Sequence, residues 1–289
     1  MTSRVIFTVY IDPEEIYNGD ADYKSTQLSR HFNALTHKQE EYAEKCEAEY
    51  KVYKLDDAYR TFLDRLDELD VFETQYQCIQ HYKHYLMKEL SNSYDEVLYI
   101  DLDVFINTDE NIFEKIDLSN GIGIYGYPDD KEEDLKNLEK GLLSYIPAYT
   151  SVSVKTAAMM SLCGYARCTF PSYVFNTAIM LVNKEHCEKI DYMDELKHIK
   201  ETIDELKQND VWWADYIRNY FSVNNETSLS YLVHKNKVKW QSIGPEWHYP
   251  YNARSRNKKI PSDVKFIHII NKDFIKIFTK YQYWEWCYL

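Results

Sequence analysis

Apolar positions recur along this chain in two rhythms, and their alternation predicts the architecture. Residues 4–11 are β-branched and aromatic and read as a strand, which the Asp12-Pro13 pair closes. Across residues 23–50, Leu28, Phe32, Leu35, Tyr42 and Cys46 recur at three- to four-residue spacing and predict a helix. A short strand is expected over 50–54. A second helix is expected over 71–90, with Cys78, Tyr82, Tyr85 and Leu86 on one face and Ser91-Asn92-Ser93 ending it. An apolar strand then runs over 97–106. Strand, helix, strand, helix, strand predicts a mostly parallel sheet flanked by helices, an α/β fold.

Beyond residue 106 the pattern is less even. Residues 107–111 read as a loop, 121–127 as a strand and the acidic run 129–134 as the exposed start of a helix. Residues 142–173 show no clear period, a character that often accompanies specificity segments. A strong strand follows at 175–183, then charged helical sequence over 184–220. A shorter helix is expected over 224–235, with Leu229, Leu232 and Val233 apolar. Late strands are expected at 238–243 and 264–270, separated by a polar loop carrying Pro245, Trp247, Pro250 and Pro261. There is no repeat, low-complexity linker or break in composition. One domain over 1–289 is expected.

Composition narrows the function classes. With 27 tyrosines and 12 phenylalanines the chain is too aromatic for a disordered protein. Only 7 glycines are present, and neither Gly-rich phosphate-loop pattern occurs. A formal charge of −13 argues against a nucleic-acid partner and against anionic membrane surfaces. The basic run over 254–259 reads as a solvated loop, or alternatively as a contact to phosphates or an anionic acceptor. The six cysteines lack zinc or redox spacing and read as reduced, mostly buried thiols. With no signal-like start and no run long enough for a membrane span, a cytoplasmic chain is expected. Its aromatic terminus, 281–289, reads as a packed lid or an oligomer interface.

The strongest chemical signal lies inside the third strand. Asp101 and Asp103 interrupt an apolar run, and in an extended chain side chains at i and i+2 point the same way. Two carboxylates at a buried strand end are costly unless a cation compensates them. A divalent cation held by carboxylates usually has a phosphate opposite.

Several motifs then occur in order. A helix precedes Tyr94-Asp95-Glu96-Val97-Leu98-Tyr99-Ile100-Asp101-Leu102-Asp103. The Phe175–Asn183 strand follows, then Asn224-Asn225-Glu226 at a helix start, then Phe266-Ile267-His268. Together these resemble the GT-A-fold glycosyltransferases, especially the family-8-like group that uses nucleotide sugars. The resemblance covers residues 70–272 and, more loosely, 4–60. Three positions depart from it. Ala178 stands where glycine is common, Asn225 where an acid is common, and His268 is not followed by a Gly-x-x-Lys-Pro-Trp run.

The resemblance implies transfer of a sugar from a nucleotide-diphosphate sugar, UDP favoured, to a glycan or small hydroxyl acceptor. It implies a Mn²⁺ or Mg²⁺ ion on Asp103 and His268, with Asp101 on the metal, ribose or donor sugar; an imidazole in the set suits Mn²⁺ better. Thr8, Val9 and Tyr10 would form the base pocket. Lys83, Lys272 and the Asp101-Leu102-Asp103 run would contact the nucleotide. Asn176, Thr177, Asn225 and Glu226 would surround the donor sugar, with Asp101, Asn225 and Glu226 as catalytic candidates. The resemblance also divides the domain into 1–110, a nucleotide-binding half, and 111–289, an acceptor-binding half, in which Trp247 and His248 could stack on an acceptor sugar, although the residues themselves favour loop aromatics that plug the core. Each also has a plain reading: Val9 as core strand, Lys83 and Lys272 as solvated lysines, Glu226 as a first-turn helix acid, His268 as a core histidine. His81 and His84 share a helix face but are weak metal ligands alone. Two rivals remain at this point. One is a haloacid-dehalogenase-like phosphatase using Asp101 as nucleophile and Asp103 as general acid. The other is a non-catalytic nucleotide-sugar-binding module, which Asn225 favours and the paired aspartates oppose.

Overall fold

Strand β1 (Arg4–Val9) lies between β2 (Glu49–Tyr53) and β3 (Glu96–Ile100) and runs parallel to both. In this computed structural model, residues 2–12, 23–69, 75–126, 152–169, 173–210, 212–251, 260–270, 272–281 and 283 are described. The acidic run at 129–134, the basic run at 254–259, Cys287 and residues 284–289 lie outside them. On the far side of β3, β6 (Phe175–Val182) pairs antiparallel with β3 and with β5 (Ile122–Gly126), and β7 (Trp240–Ser242) adds parallel to β5. The order β2-β1-β3-β6-β5-β7 makes a mixed sheet that is mainly parallel, as the alternating pattern predicts.

Period-2 alternation sends side chains to two cores. Val5, Phe7, Val97, Tyr99, Met180 and Val182 face one, while Ile6, Leu98, Ile100 and Leu181 face the other. Both faces are covered, so all eight residues of β6 are buried. The first core is closed by helices α3 (Asp57–Leu69) and α4 (Gln75–Leu90), together with the helical residues Leu162, Leu196 and Leu229 from later in the chain.

The expected helix over 23–50 is two helices, α1 (Tyr23–Arg30) and α2 (Phe32–Lys45), followed by β2. The break falls at His31, whose buried ring packs edge-on against Phe274 and Phe278 of α12 (Phe274–Lys280). Helix α3 was absent from the expectation, although Tyr59, Phe62 and Leu66 are helically spaced and Asp56 Oδ1 accepts the Tyr59 amide at 2.9 Å, an N-cap. After the one-turn α5 (Ile112–Lys115), the segment without a period contains α6 (Val152–Tyr165). Val154, Ala157, Ala158, Met159, Leu162 and Cys163 are all buried, so α6 is apolar around most of its circumference and shows no stripe. The expected helical stretch 184–220 divides into α7 (Lys184–Ile190), α8 (Tyr192–Asn209) and α9 (Asp215–Arg218). Asp191, at φ 49 and ψ 43, breaks the first pair. Helix α10 (Asn225–Lys235) matches its prediction.

A second, three-stranded sheet was not expected. Strand β4 (Val104–Ile106) pairs antiparallel with β9 (Phe266–Ile269), and β8 (Tyr249–Tyr251), reached through the short α11 (Gly244–Trp247), lies parallel to β9. The predicted single strand over 97–106 is therefore shared between two sheets, with Asp101-Leu102-Asp103 at the passage. Cys46, Cys78, Cys163, Cys168 and Cys187 are all free thiols, as their spacing predicted. No helix among the described residues is long and apolar enough to cross a membrane.

Candidate active site

The chain leaves the large sheet at Ile100 and enters the small one at Val104. In between, the Val104 amide donates to the Asp101 carbonyl at 3.0 Å, which closes a turn. The extended geometry assumed for Asp101 and Asp103 is thus corrected, yet the carboxylates converge. The register of β4 and β9 sets Val104 opposite His268, and the Ile269 amide donates to the Asp103 carbonyl at 2.9 Å. One ligand atom each from Asp101, Asp103 and His268 lies within 4.8 Å of the others.

Both aspartates already have cationic partners. Asp101 Oδ1 accepts from Lys83 Nζ at 3.2 Å and from the Tyr99 hydroxyl. Its backbone is pinned by Ala178 O at 2.7 Å and by Gln39 Nε2 at 3.1 Å. Lys83 is buried, not solvated: its ammonium also donates to Thr177 O at 3.0 Å and sits 4.7 Å over the Tyr99 ring. Asp103 is only 4% exposed, and its Oδ2 meets Lys272 Nζ and, at 3.2 Å, His268 Nε2. Burial alone raises the Asp103 pKa, but the Lys272 ammonium and then the His268 imidazole outweigh it and hold the carboxyl well below the usual range. Lys272 reaches inward from a left-handed backbone position, φ 58, after β9.

A second network stands beside the first. Asn225 Nδ2 donates to Thr177 Oγ1 at 2.7 Å, and Asn176 Nδ2 donates to Glu226 Oε1 at 3.1 Å. Glu226 Oε2 accepts from Lys155 Nζ of α6 at 2.6 Å. Glu226 lies in the first turn of α10, as its plain reading expects, with Asn224 as the N-cap, but its carboxylate points inward, 7% exposed. The two networks join at Thr177, whose carbonyl holds Lys83. Sequence reasoning missed Lys155, Tyr99 and Gln39. Tyr99 was within reach of the i, i+2 rule, since it precedes Asp101 by two. Lys155 lies in the segment without a period, where nothing marked it.

Thr8, Val9 and Tyr10 stand at the same sheet edge, because Phe7 lies opposite Tyr99. Thr8 is buried, and its hydroxyl has no hydrogen-bond partner among the described residues. The Tyr10 ring packs on Phe32 at 4.6 Å. Leu102 is buried in the core under β9, so only its backbone is available to a ligand. Trp247 and His248 follow their plain reading as core-plugging aromatics and are not available to stack on an acceptor. Trp247 is 3% exposed and packs on Phe266, and His248 is fully buried behind His268, with its Nε2 3.2 Å from His268 Nδ1. His81 and His84 are buried too. His81 faces the Val223 carbonyl and the Tyr192 hydroxyl, and His84 stacks on the Tyr192 ring, an arrangement of core packing.

The metal implied by the resemblance fits this donor set. Ligand oxygens and nitrogens about 2.0–2.2 Å from one ion stand at most about 4.4 Å apart, and the three atoms here all lie within 4.8 Å of one another. Two carboxylates and one imidazole are also the donor chemistry such ions take.

No family model matches the sequence, and no curated protein matches it. Among solved structures, the bifunctional glycosyltransferase WbbM is similar over 93% of this chain, at 13% identity and a TM-score of 0.50. This chain spans 46% of WbbM. The fold is that of the GT-A glycosyltransferases. Two further structures align along nearly their whole length. A glycosyltransferase involved in glycosylation of the major capsid of PBCV-1 matches over 95% of this chain and 99% of its own, at 13% identity and TM-score 0.45. Mouse xyloside xylosyltransferase 1 matches over 93% and 98%, at 9% identity and TM-score 0.49. On the GT-A frame, the Asp101–Asp103 turn is a D-x-D motif at the end of β3.

Proposed function

We propose that this chain is a metal-dependent glycosyltransferase that moves a sugar from a nucleoside-diphosphate donor, UDP favoured, to a hydroxyl group of a glycan or small acceptor. The observation that carries the proposal is the convergence of Asp101, Asp103 and His268 with Lys83 and Lys272 where the two sheets of a GT-A fold meet. Buried carboxylates are stable only when compensated, and this cluster compensates them with groups suited to holding a diphosphate.

In this reading residues 1–110 form the nucleotide half, with Thr8, Val9 and Tyr10 beside the base, and residues 111–289 form the acceptor half. Asp103 and His268 hold Mn²⁺ or Mg²⁺, with Asp101 completing the set. When bound, the ion acts as a Lewis acid that neutralises charge developing on the leaving diphosphate. Lys272 and Lys83 supply ammonium groups to the same oxygens and so assist departure. Asp101 stays oriented through Tyr99 and Lys83. Asn176, Thr177, Asn225 and Glu226 form a wall of hydrogen-bonding groups for the donor sugar. Both oxygens of Glu226 are already engaged, which suits it to orienting its neighbours rather than to attacking carbon.

The test is turnover. UDP-sugars with Mn²⁺ and a panel of hydroxyl acceptors should release UDP, and Asp103→Asn should abolish release. Release of phosphate from a simple phosphomonoester, with no UDP release, would favour the phosphatase reading. Binding without turnover would leave a nucleotide-sugar-binding module.

A further inference from the structure

His248 has no role in the reading above, and its surroundings supply one. It is fully buried, packs against the Tyr125 ring at 4.7 Å, and places Nε2 3.2 Å from His268 Nδ1. The other nitrogen of His268, Nε2, faces Asp103 Oδ2 at 3.2 Å. The three groups form a row: His248, His268, Asp103. A neutral imidazole carries one proton, and which nitrogen holds it is set by the partner of the other. To ligate a cation beside Asp103, His268 must present a bare Nε2 and carry its proton on Nδ1. That Nδ1–H then needs an acceptor, and the group it faces is the fully buried His248.

We propose that His248 is a positioning residue for the cation site, whose Nε2 accepts the Nδ1–H of His268 and so fixes both the ring plane and the ligating tautomer of His268. This rests on the reading of Asp101, Asp103 and His268 as cation ligands. Rotation of the His268 ring is opposed from both sides. Nε2 is drawn to Asp103, Nδ1 to His248, and His248 is itself wedged against Tyr125. Ordinarily a carboxylate or backbone carbonyl takes this place behind a ligating histidine. A second imidazole differs in one respect: its Nε2 can donate as well as accept. Without a cation, His268 Nε2–H donates to Asp103 and His248 Nε2–H donates to His268 Nδ1. With a cation, the His248 Nε2 proton passes to His268 Nδ1, the proton displaced from His268 Nε2 is taken up at His248 Nδ1, which has no other partner among the described residues, and both rings remain neutral. The pair therefore satisfies its shared hydrogen bond in either state, and no net proton leaves it when the cation binds.

The experiment measures Mn²⁺ binding directly, from the electron paramagnetic resonance signal of free Mn²⁺, for the full chain with UDP present. His248→Leu, which fills the space but cannot accept, should bind Mn²⁺ about tenfold or more weakly. His248→Gln, which can accept through its amide oxygen, should retain most of the affinity. Equal affinity in folded His248→Leu and wild-type protein overturns the proposal while leaving the cation site intact. No Mn²⁺ binding by the wild-type chain overturns the cation site itself, and with it the inference. Should the leucine variant fail to fold, the tautomer can be read in the wild type. Long-range ¹H–¹⁵N spectra of the imidazoles with saturating Mg²⁺ and UDP should show His268 protonated at Nδ1, and protonation at Nε2 would contradict the proposal.

Discussion

Lys155→Met isolates the charge pair that sequence reasoning did not find. The ammonium lies 2.6 Å from Glu226 Oε2, with side chains 15% and 10% exposed, so the pair is shielded from solvent screening. Methionine keeps most of the apolar stem and removes only the charge. Glu226 would then keep Asn176 as its side-chain donor while staying buried. Removing one partner of a buried pair costs about 3–5 kcal/mol, and the residual exposure argues for the lower end, about 3 kcal/mol. Unfolding entropy of about 2.1 cal/mol/K per residue, over 289 residues, converts that to a fall in Tm of about 5 °C. The second variant makes the cause explicit. In Lys155→Met/Glu226→Gln no charge is left stranded, and the amide oxygen still accepts from Asn176. The double variant should recover most of the loss, giving a coupling energy of about 2 kcal/mol in a urea-denaturation cycle. A cost below about 1 kcal/mol for Lys155→Met, or no recovery in the double variant, would refute the view that these two groups compensate each other.

Other consequences can be checked on the same protein. Burial lowers the pKa values of His81, His84 and His248, that of His81 to about 3. Since the unfolded value is about 6.5, the stability these neutral rings contribute is complete above that pH and is lost as pH falls toward the folded values. For His81 the loss should reach about 1.4 kcal/mol by pH 5.5; a Tm that stays level between pH 6.5 and 5.5 would contradict the buried, neutral assignment, and His81→Gln should flatten the dependence. Gly121 adopts φ 125, and a Cβ there would overlap the Lys239 backbone, so Gly121→Ala should cost about 2 kcal/mol in urea denaturation. An unchanged midpoint would mean that this corner is free to move.

Strand alternation was legible because β1, β3 and β6 are buried on both faces and carry few polar interruptions. Asp101 and Asp103 stood out for the same reason: carboxylates in an apolar run demand an explanation. What periodicity could not express is that the run passes from one sheet to another. A turn of three residues bounded by apolar strands looks, in one dimension, like one strand. The second sheet was hidden by the brevity of β4 and β8, three residues each. Helix α6 was hidden by its burial around most of its circumference, and Lys155 was hidden with it. For Trp247 and His248 the plain reading holds, a pair that plugs the core from a Pro-rich loop, because α11 sets Trp247 against Phe266 of β9. His268 needed its strand partner: only the β4–β9 register brings it to Asp103, and no local pattern contains that information.

Asp103 as the anchor of a cation–diphosphate site is tested by the shift in thermal midpoint with UDP, with and without Mn²⁺, for the wild type and for Asp103→Asn. At a ligand concentration one hundred times Kd, binding to the native state adds about 2.7 kcal/mol, a rise of about 4 °C for a chain of this length. That rise is expected for the wild type only when UDP and Mn²⁺ are both present, and it should be lost in Asp103→Asn. The same rise in Asp103→Asn, or none in the wild type with any nucleoside diphosphate and Mn²⁺, would contradict that anchoring role.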